Sequence, residues 1–149
     1  MKINTFGSLL SFAMNLEKQA EESYLSLTTV TKNTPICDLF SGYARRYTQR
    51  QRILEEIRQR NINVVLLEPI TNLDSEQYVI TINIGREMDI NIVFDTALNI
   101  ESKLKRFYCD ALQVAGIPLG EVARTLRKLS IENDEHRDIL LLQRKNATP

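Results

Sequence analysis

Apolar residues recur every three or four positions through four long stretches of this chain, with polar residues filling the intervals. From Thr5 onward, Phe6, Leu9, Leu10, Ala13, Leu16, Ala20, Tyr24 and Leu27 share one side of a helix, because residues three and four apart lie on one face. The spacing predicts a first helix over about residues 5–31. Asn33-Thr34-Pro35 reads as the next helix start, with the threonine as cap, proline at the first helical position and Asp38 in the first turn. The second helix runs to about Gln59, and its inward row is Ile36, Leu39/Phe40, Tyr43/Ala44, Tyr47, Arg50, Leu54 and Ile57. A third helix starts near Asp89, turns Ile90, Phe94, Ala97, Ile100/Glu101, Leu104, Phe107/Tyr108 and Ala111 to one side, and meets Gly116 as its C-cap. Pro118 and Gly120 restart the chain into a fourth helix, about 119–145, whose inward row is Val122, Leu126, Leu129, Asn133, His136 and Leu140. The tail Asn146–Pro149 is expected to fray.

Between the second and third helices the period is lost. The tract from Asn61 to Met88, punctuated by Pro69, Asn72, Asp74 and Gly85, is far longer than a hairpin loop and suits a crossover connection. Asp74-Ser75-Glu76-Gln77 could cap a short helix. Val79–Ile84 alternates as a strand would, but a lone strand has nothing to pair with, so helix or irregular chain is expected there. The expected architecture is all-α: one domain over residues 1–149, a four-helix bundle of two helical hairpins joined by a long crossover.

Composition narrows the function. The 19 basic and 19 acidic residues balance, which argues against a grip on nucleic acid or an anionic membrane. Arg45-Arg46 and Arg50–Arg52 cluster, the outward ones reading as a solvated helix face. A chain of 149 residues buries close to ~70% of its surface without staples, and Cys37 and Cys109 form no Cys-x-x-Cys pair. They read as small core residues in a reducing, cytoplasmic setting. Glu17 and Lys18 arrive too early for a secretory leader, and no apolar run approaches the ~20 residues of a membrane span. No Gly-rich phosphate loop, Ser-His-Asp arrangement or useful Cys-His spacing supports nucleotide or hydrolase chemistry.

What stands out is polarity on the inward rows. Glu17, Tyr47, Arg50, Glu101, Asn133 and His136 all point at the core, where polar groups need partners. They are also related by an internal repeat. Ala13-Met14-Asn15-Leu16-Glu17 superposes on Ala97-Leu98-Asn99-Ile100-Glu101 at a constant offset that also carries Tyr24 onto Tyr108; the second helix maps onto the fourth with Ala44 on Ser130, Tyr47 on Asn133, Arg50 on His136 and Arg58 on Arg144. Each hairpin thus supplies one core glutamate and one pair of core polar residues three apart.

Ala-x-x-x-Glu followed by tyrosine about two turns later, given twice, resembles the ferritin-like superfamily and most of all rubrerythrin-type proteins, over essentially all four helices. That family's site takes a glutamate from each of two helices and a Glu-x-x-His from each of the other two. The resemblance implies Glu17 and Glu101 as the lone carboxylates, with Tyr47 and Arg50 in place of the first Glu-x-x-His and Asn133 and His136 in place of the second. Glu17, Glu101 and His136 are then vestigial metal ligands. The further glutamate that rubrerythrins often carry on the third helix is Leu104 here, and two cysteines are too few for their cysteine-rich module.

Two divalent ions carry four positive charges, which the intact family site balances with four carboxylates. Tyr47 is a phenol, and Arg50 cannot lose its proton to donate to a metal. The expectation is that Arg50 replaces the ions, satisfying Glu17 and Glu101 together with its five donors, while Tyr47, Asn133 and His136 complete a polar network. Such a protein would need no cofactor and would act through its surface, as a homodimer, a higher homo-oligomer or a partner-binding bundle. The alternative is an iron-binding oxidoreductase of rubrerythrin type, reducing peroxide or oxidising iron, in which Glu17, Glu101 and His136 hold iron with Glu132 or Glu135 swinging in.

Overall fold

Thr5 opens the first helix with a reciprocal cap: its hydroxyl accepts from the Ser8 amide and its own amide donates to Ser8 Oγ, both at 3.0 Å. In a computed structural model of the chain, which describes residues 2–61, 69–85, 88–114 and 120–147, this cap leads into α1, Phe6–Val30. The next helix, α2, spans Thr34–Arg60 and is capped by Asn33 rather than by Thr34 as the sequence suggested. The Asn33 carboxamide accepts from the Ile36 amide at 3.2 Å, which leaves Thr34 and Pro35 inside the first turn and Asp38 beyond it. Helix α3 spans Ile90–Val114 and α4 spans Gly120–Ala147. The expected C-cap at Gly116 and the restart at Leu119 lie outside the described residues. At the other end α4 continues through Asn146 and Ala147, so the expected fraying does not begin there.

α1 packs chiefly against α2, and α3 against α4, giving the two expected hairpins. Their inward rows meet in one apolar core that runs from Phe6 and Leu9 through Phe94 and Phe107 to Leu126 and Leu140. Each helix is fixed by burial of its apolar row rather than by propensity, which leaves the middle turns of all four facing one another.

The crossover adds a strand pair that the sequence pattern does not predict. Lys2–Thr5 (β1) pairs antiparallel with Pro69–Asp74 (β2), with Ile3 opposite Leu73 and an irregularity before Thr5 opposite Pro69. A four-residue strand is too short to display a period of two, and its partner lies far along the chain, so neither strand is visible locally. Val79–Ile84, the segment with the alternating pattern, is irregular as expected. Asp74 does cap a short 3-10 turn over Ser75–Gln77, accepting from the Glu76 amide at 3.1 Å. Beyond it the chain is laced to the bundle: Tyr78 donates to Asp110 at 2.7 Å, Lys103 donates to the Val79 carbonyl at 2.7 Å, and the Ile80 amide donates to Gln19 at 3.1 Å. Cys37 and Cys109 are free and half-buried rather than core residues. No described helix is long and apolar enough to cross a membrane.

Candidate functional site

The middle turns of the four helices bring all six predicted polar residues together. Glu17, Tyr47, Arg50, Glu101 and Asn133 have no solvent exposure at all, and His136 retains only 7%. Their grouping differs from the expected one in a specific way. Arg50 does not bridge Glu17 and Glu101. Its guanidinium donates twice to Glu17 Oε1, from Nε at 3.1 Å and Nη2 at 2.8 Å, and reaches Glu132 Oε1 from Nη1 at 3.3 Å. Glu132 is in turn held in a two-pronged pair by Arg46, 2.8 Å from each nitrogen. The Arg50 guanidinium also lies against two aromatic faces, 4.8 Å from the Tyr47 ring centre and 5.8 Å from that of Tyr108.

Glu101 is satisfied without any arginine. Tyr24 donates to its Oε2 at 2.5 Å, and the Tyr47 hydroxyl sits 2.6 Å from both oxygens. The Asn133 amide donates to Oε1 at 2.8 Å, and His136 Nδ1 lies 2.9 Å from the same oxygen. With a carboxylate as acceptor, that Nδ1 carries the proton. The His136 ring stacks on Tyr43 with centres 4.1 Å apart. Asn133 joins the two halves, since its carbonyl accepts from Arg50 at 3.1 Å while its amide serves Glu101 and the Tyr47 oxygen. The tyrosines cross over: Tyr24, on the helix of Glu17, donates to Glu101, whereas Tyr108, on the helix of Glu101, donates to Glu17. The two hairpins are therefore tied through the hydrogen bonds of the centre as well as through apolar packing.

The two buried carboxylates are held differently. Burial raises the Glu101 pKa, but the hydrogen bond and charge of His136, joined by the Tyr24 and Tyr47 hydroxyls, outweigh it and leave the group below its ordinary value of 4.5. For Glu17 burial wins over Arg50 and Tyr108, and the pKa stands above the ordinary value. One of its oxygens, Oε2, is buried with no hydrogen-bond partner, while Oε1 takes every donor. Arg50 is pushed well above its ordinary range by Glu17 with help from the surrounding phenols, against the opposing effect of its burial, so the guanidinium stays charged. A depressed carboxylate favours the folded state above its unfolded pKa, and that contribution disappears as pH falls through the folded value. Glu101 is thus expected to stabilise the bundle at neutral pH and to lose its contribution below pH 4.5, while Glu17, shifted upward, works in the opposite sense. Thermal melts against pH should show a steep acid limb that Glu101→Gln flattens, at a lower neutral-pH stability. An unchanged limb in that variant contradicts the assignment.

The donor set is a poor fit for a pair of metal ions. A guanidinium occupies the space between Glu17, Glu132 and Asn133, and both Glu101 oxygens are already covered by protein donors. Among the described residues no group of three or more His, Cys, Asp or Glu side chains is arranged to hold a metal ion. Glu132, expected from the sequence only as a ligand that could swing inward, is instead held by Arg46, a partner not expected for it. The repeat contained the signal. The offset that places Tyr47 on Asn133 also places Arg46 on Glu132, so opposite charges sit at equivalent positions of two helices that face each other.

No family model matches the chain, and no curated protein matches it in sequence. Solved structures do match in shape. A protein of Thermotoga maritima described as a ferritin-like diiron-carboxylate protein superposes with a TM-score of 0.79 at 18% identity, covering 97% of each chain. A hypothetical protein of Pyrococcus furiosus gives 0.70 at 19% identity over 95% of this chain and 89% of its own. A dodecameric thioferritin, the bacterioferritin-related protein of Bacteroides fragilis, gives 0.69 at 15% identity over 91% and 82%. The chain has the ferritin-like fold, an all-α four-helix bundle.

Proposed function

We propose that this chain is a ferritin-like bundle in which a guanidinium has taken the place of the metal pair, and that it acts through its surface, as an oligomer or by binding a partner, rather than by redox catalysis. The observation that carries this reading is the fully buried Arg50, ion-paired with Glu17 at 2.8 Å and Glu132 at 3.3 Å at the centre of the bundle. A fixed cation there repels a metal ion and neutralises the carboxylates a metal would otherwise bind. Glu101, wrapped in neutral donors and His136, would have to give up those bonds to coordinate anything. An oligomeric role is in keeping with the dodecameric thioferritin, although at 15% identity that protein shares only the fold.

One observation favours the alternative, a non-haem iron oxidoreductase using Glu17, Glu101 and His136: the second oxygen of Glu17 is buried and unpartnered. The two readings separate on metal content. Protein produced in iron-rich medium and measured by elemental analysis is expected to carry iron far below one atom per chain, and stoichiometric iron would overturn the metal-free reading.

A further inference from the structure

The outward face of α4 carries the largest share of the bundle's exposed large apolar side chains. Ile131 is 51% exposed, Leu142 57%, Leu141 49% and Ile139 41%. Along its mid-line runs the row Arg124, Lys128, Ile131, Glu135, Asp138 and Leu142, whose alternating steps of four and three are the spacing of a helix–helix seam. The row is ordered by charge: basic before Ile131, acidic after it. None of Arg124, Lys128, Glu135 and Asp138 makes a side-chain ion pair or hydrogen bond among the described residues, and Glu121, on which Arg124 acts electrostatically, is already held by Arg60. Elsewhere on the bundle's surface Arg46, Lys105 and Arg144 are paired across helices.

We infer that this face is the docking surface for a second copy of the chain, its α4 running antiparallel about a two-fold axis at Ile131. The arrangement follows from complementarity. With Ile131 on its own copy, Arg124 falls opposite Asp138, Arg127 opposite Glu135 and Lys128 opposite Asp134, each a basic residue facing an acidic one. A parallel pairing would set Glu135 on Glu135 and Lys128 on Lys128, which is repulsive. The inference rests on the oligomeric part of the proposed function and gives it a surface.

Sedimentation equilibrium over a range of concentrations tests it. Wild type is expected to associate in even-numbered assemblies. Ile131→Asp and Arg124→Asp should each weaken association about 10-fold or more, while Arg124→Asp combined with Asp138→Arg should restore it, because the charges are exchanged rather than removed. All these positions are exposed, so circular-dichroism melts should show each variant folded. If the single variants associate as wild type does, the contact lies on another face and the docking inference falls while the oligomeric reading stands. A wild type that is monomeric throughout removes both, without touching the account of the core.

Discussion

Arg50→Ala is expected to destabilise the bundle by about 3–5 kcal/mol, the usual consequence of removing one partner from a buried ion pair. The loss has identifiable parts. Glu17 would keep only the Tyr108 hydroxyl, with no counter-charge and no exposure to water. The Asn133 carbonyl would lose its donor, and Glu132 would keep hydrogen bonds from Arg46 alone. The space between the Tyr47 and Tyr108 rings would be left unfilled. For a chain of this length the melting temperature should fall by roughly 10 °C or more. Because most of the penalty is the stranded carboxylate, Arg50→Met combined with Glu17→Gln should recover much of it, and a double-mutant cycle should report strong coupling. Wild-type stability in Arg50→Ala would mean that the guanidinium is not at the centre of the structure.

Tyr47→Glu, Arg50→His and Asn133→Glu together should convert the core into an iron site. The combination removes the fixed cation, supplies two carboxylates at the positions that face Glu101 and Glu17, and adds an imidazole to pair with His136. Without metal this variant should be less stable than wild type, since four carboxylates would crowd one dry volume with no cation to balance them. Iron should reverse that loss, because a ligand that binds only the folded state stabilises it by about 2.7 kcal/mol at one hundred times its dissociation constant. The readout is paired: iron per chain and melting temperature, each with and without added ferrous ion, beside wild type treated identically. Failure of the triple variant to take up iron would place the register read from the repeat in error.

The helices and the inward positions were legible in the sequence because burial enforces periodicity. Glu17, Arg50, Glu101, Asn133 and His136 occupy apolar rows, and a polar residue on such a row is visible without coordinates. Who pairs with whom was not legible. The five donors of Arg50 allow it to reach either glutamate, and the choice of Glu17 over Glu101 depends on Tyr24, Tyr47 and His136 having already filled Glu101, which is a matter of three-dimensional placement. Glu132 escaped for a related reason: it sits at the edge of the buried row, 22% exposed at its side chain, where sequence periodicity cannot distinguish a half-turned residue from a solvated one. The β1–β2 pair was hidden because its partners are joined only by distant contacts.

The most direct measurement is a crystal structure of protein grown with excess iron, with diffraction data collected at the iron absorption edge. The account predicts planar guanidinium density for Arg50 lying between Glu17 and Glu132, and no anomalous peak in the bundle core. Two anomalous peaks flanked by Glu17 and Glu101, with the Arg50 side chain turned out to solvent, would contradict it.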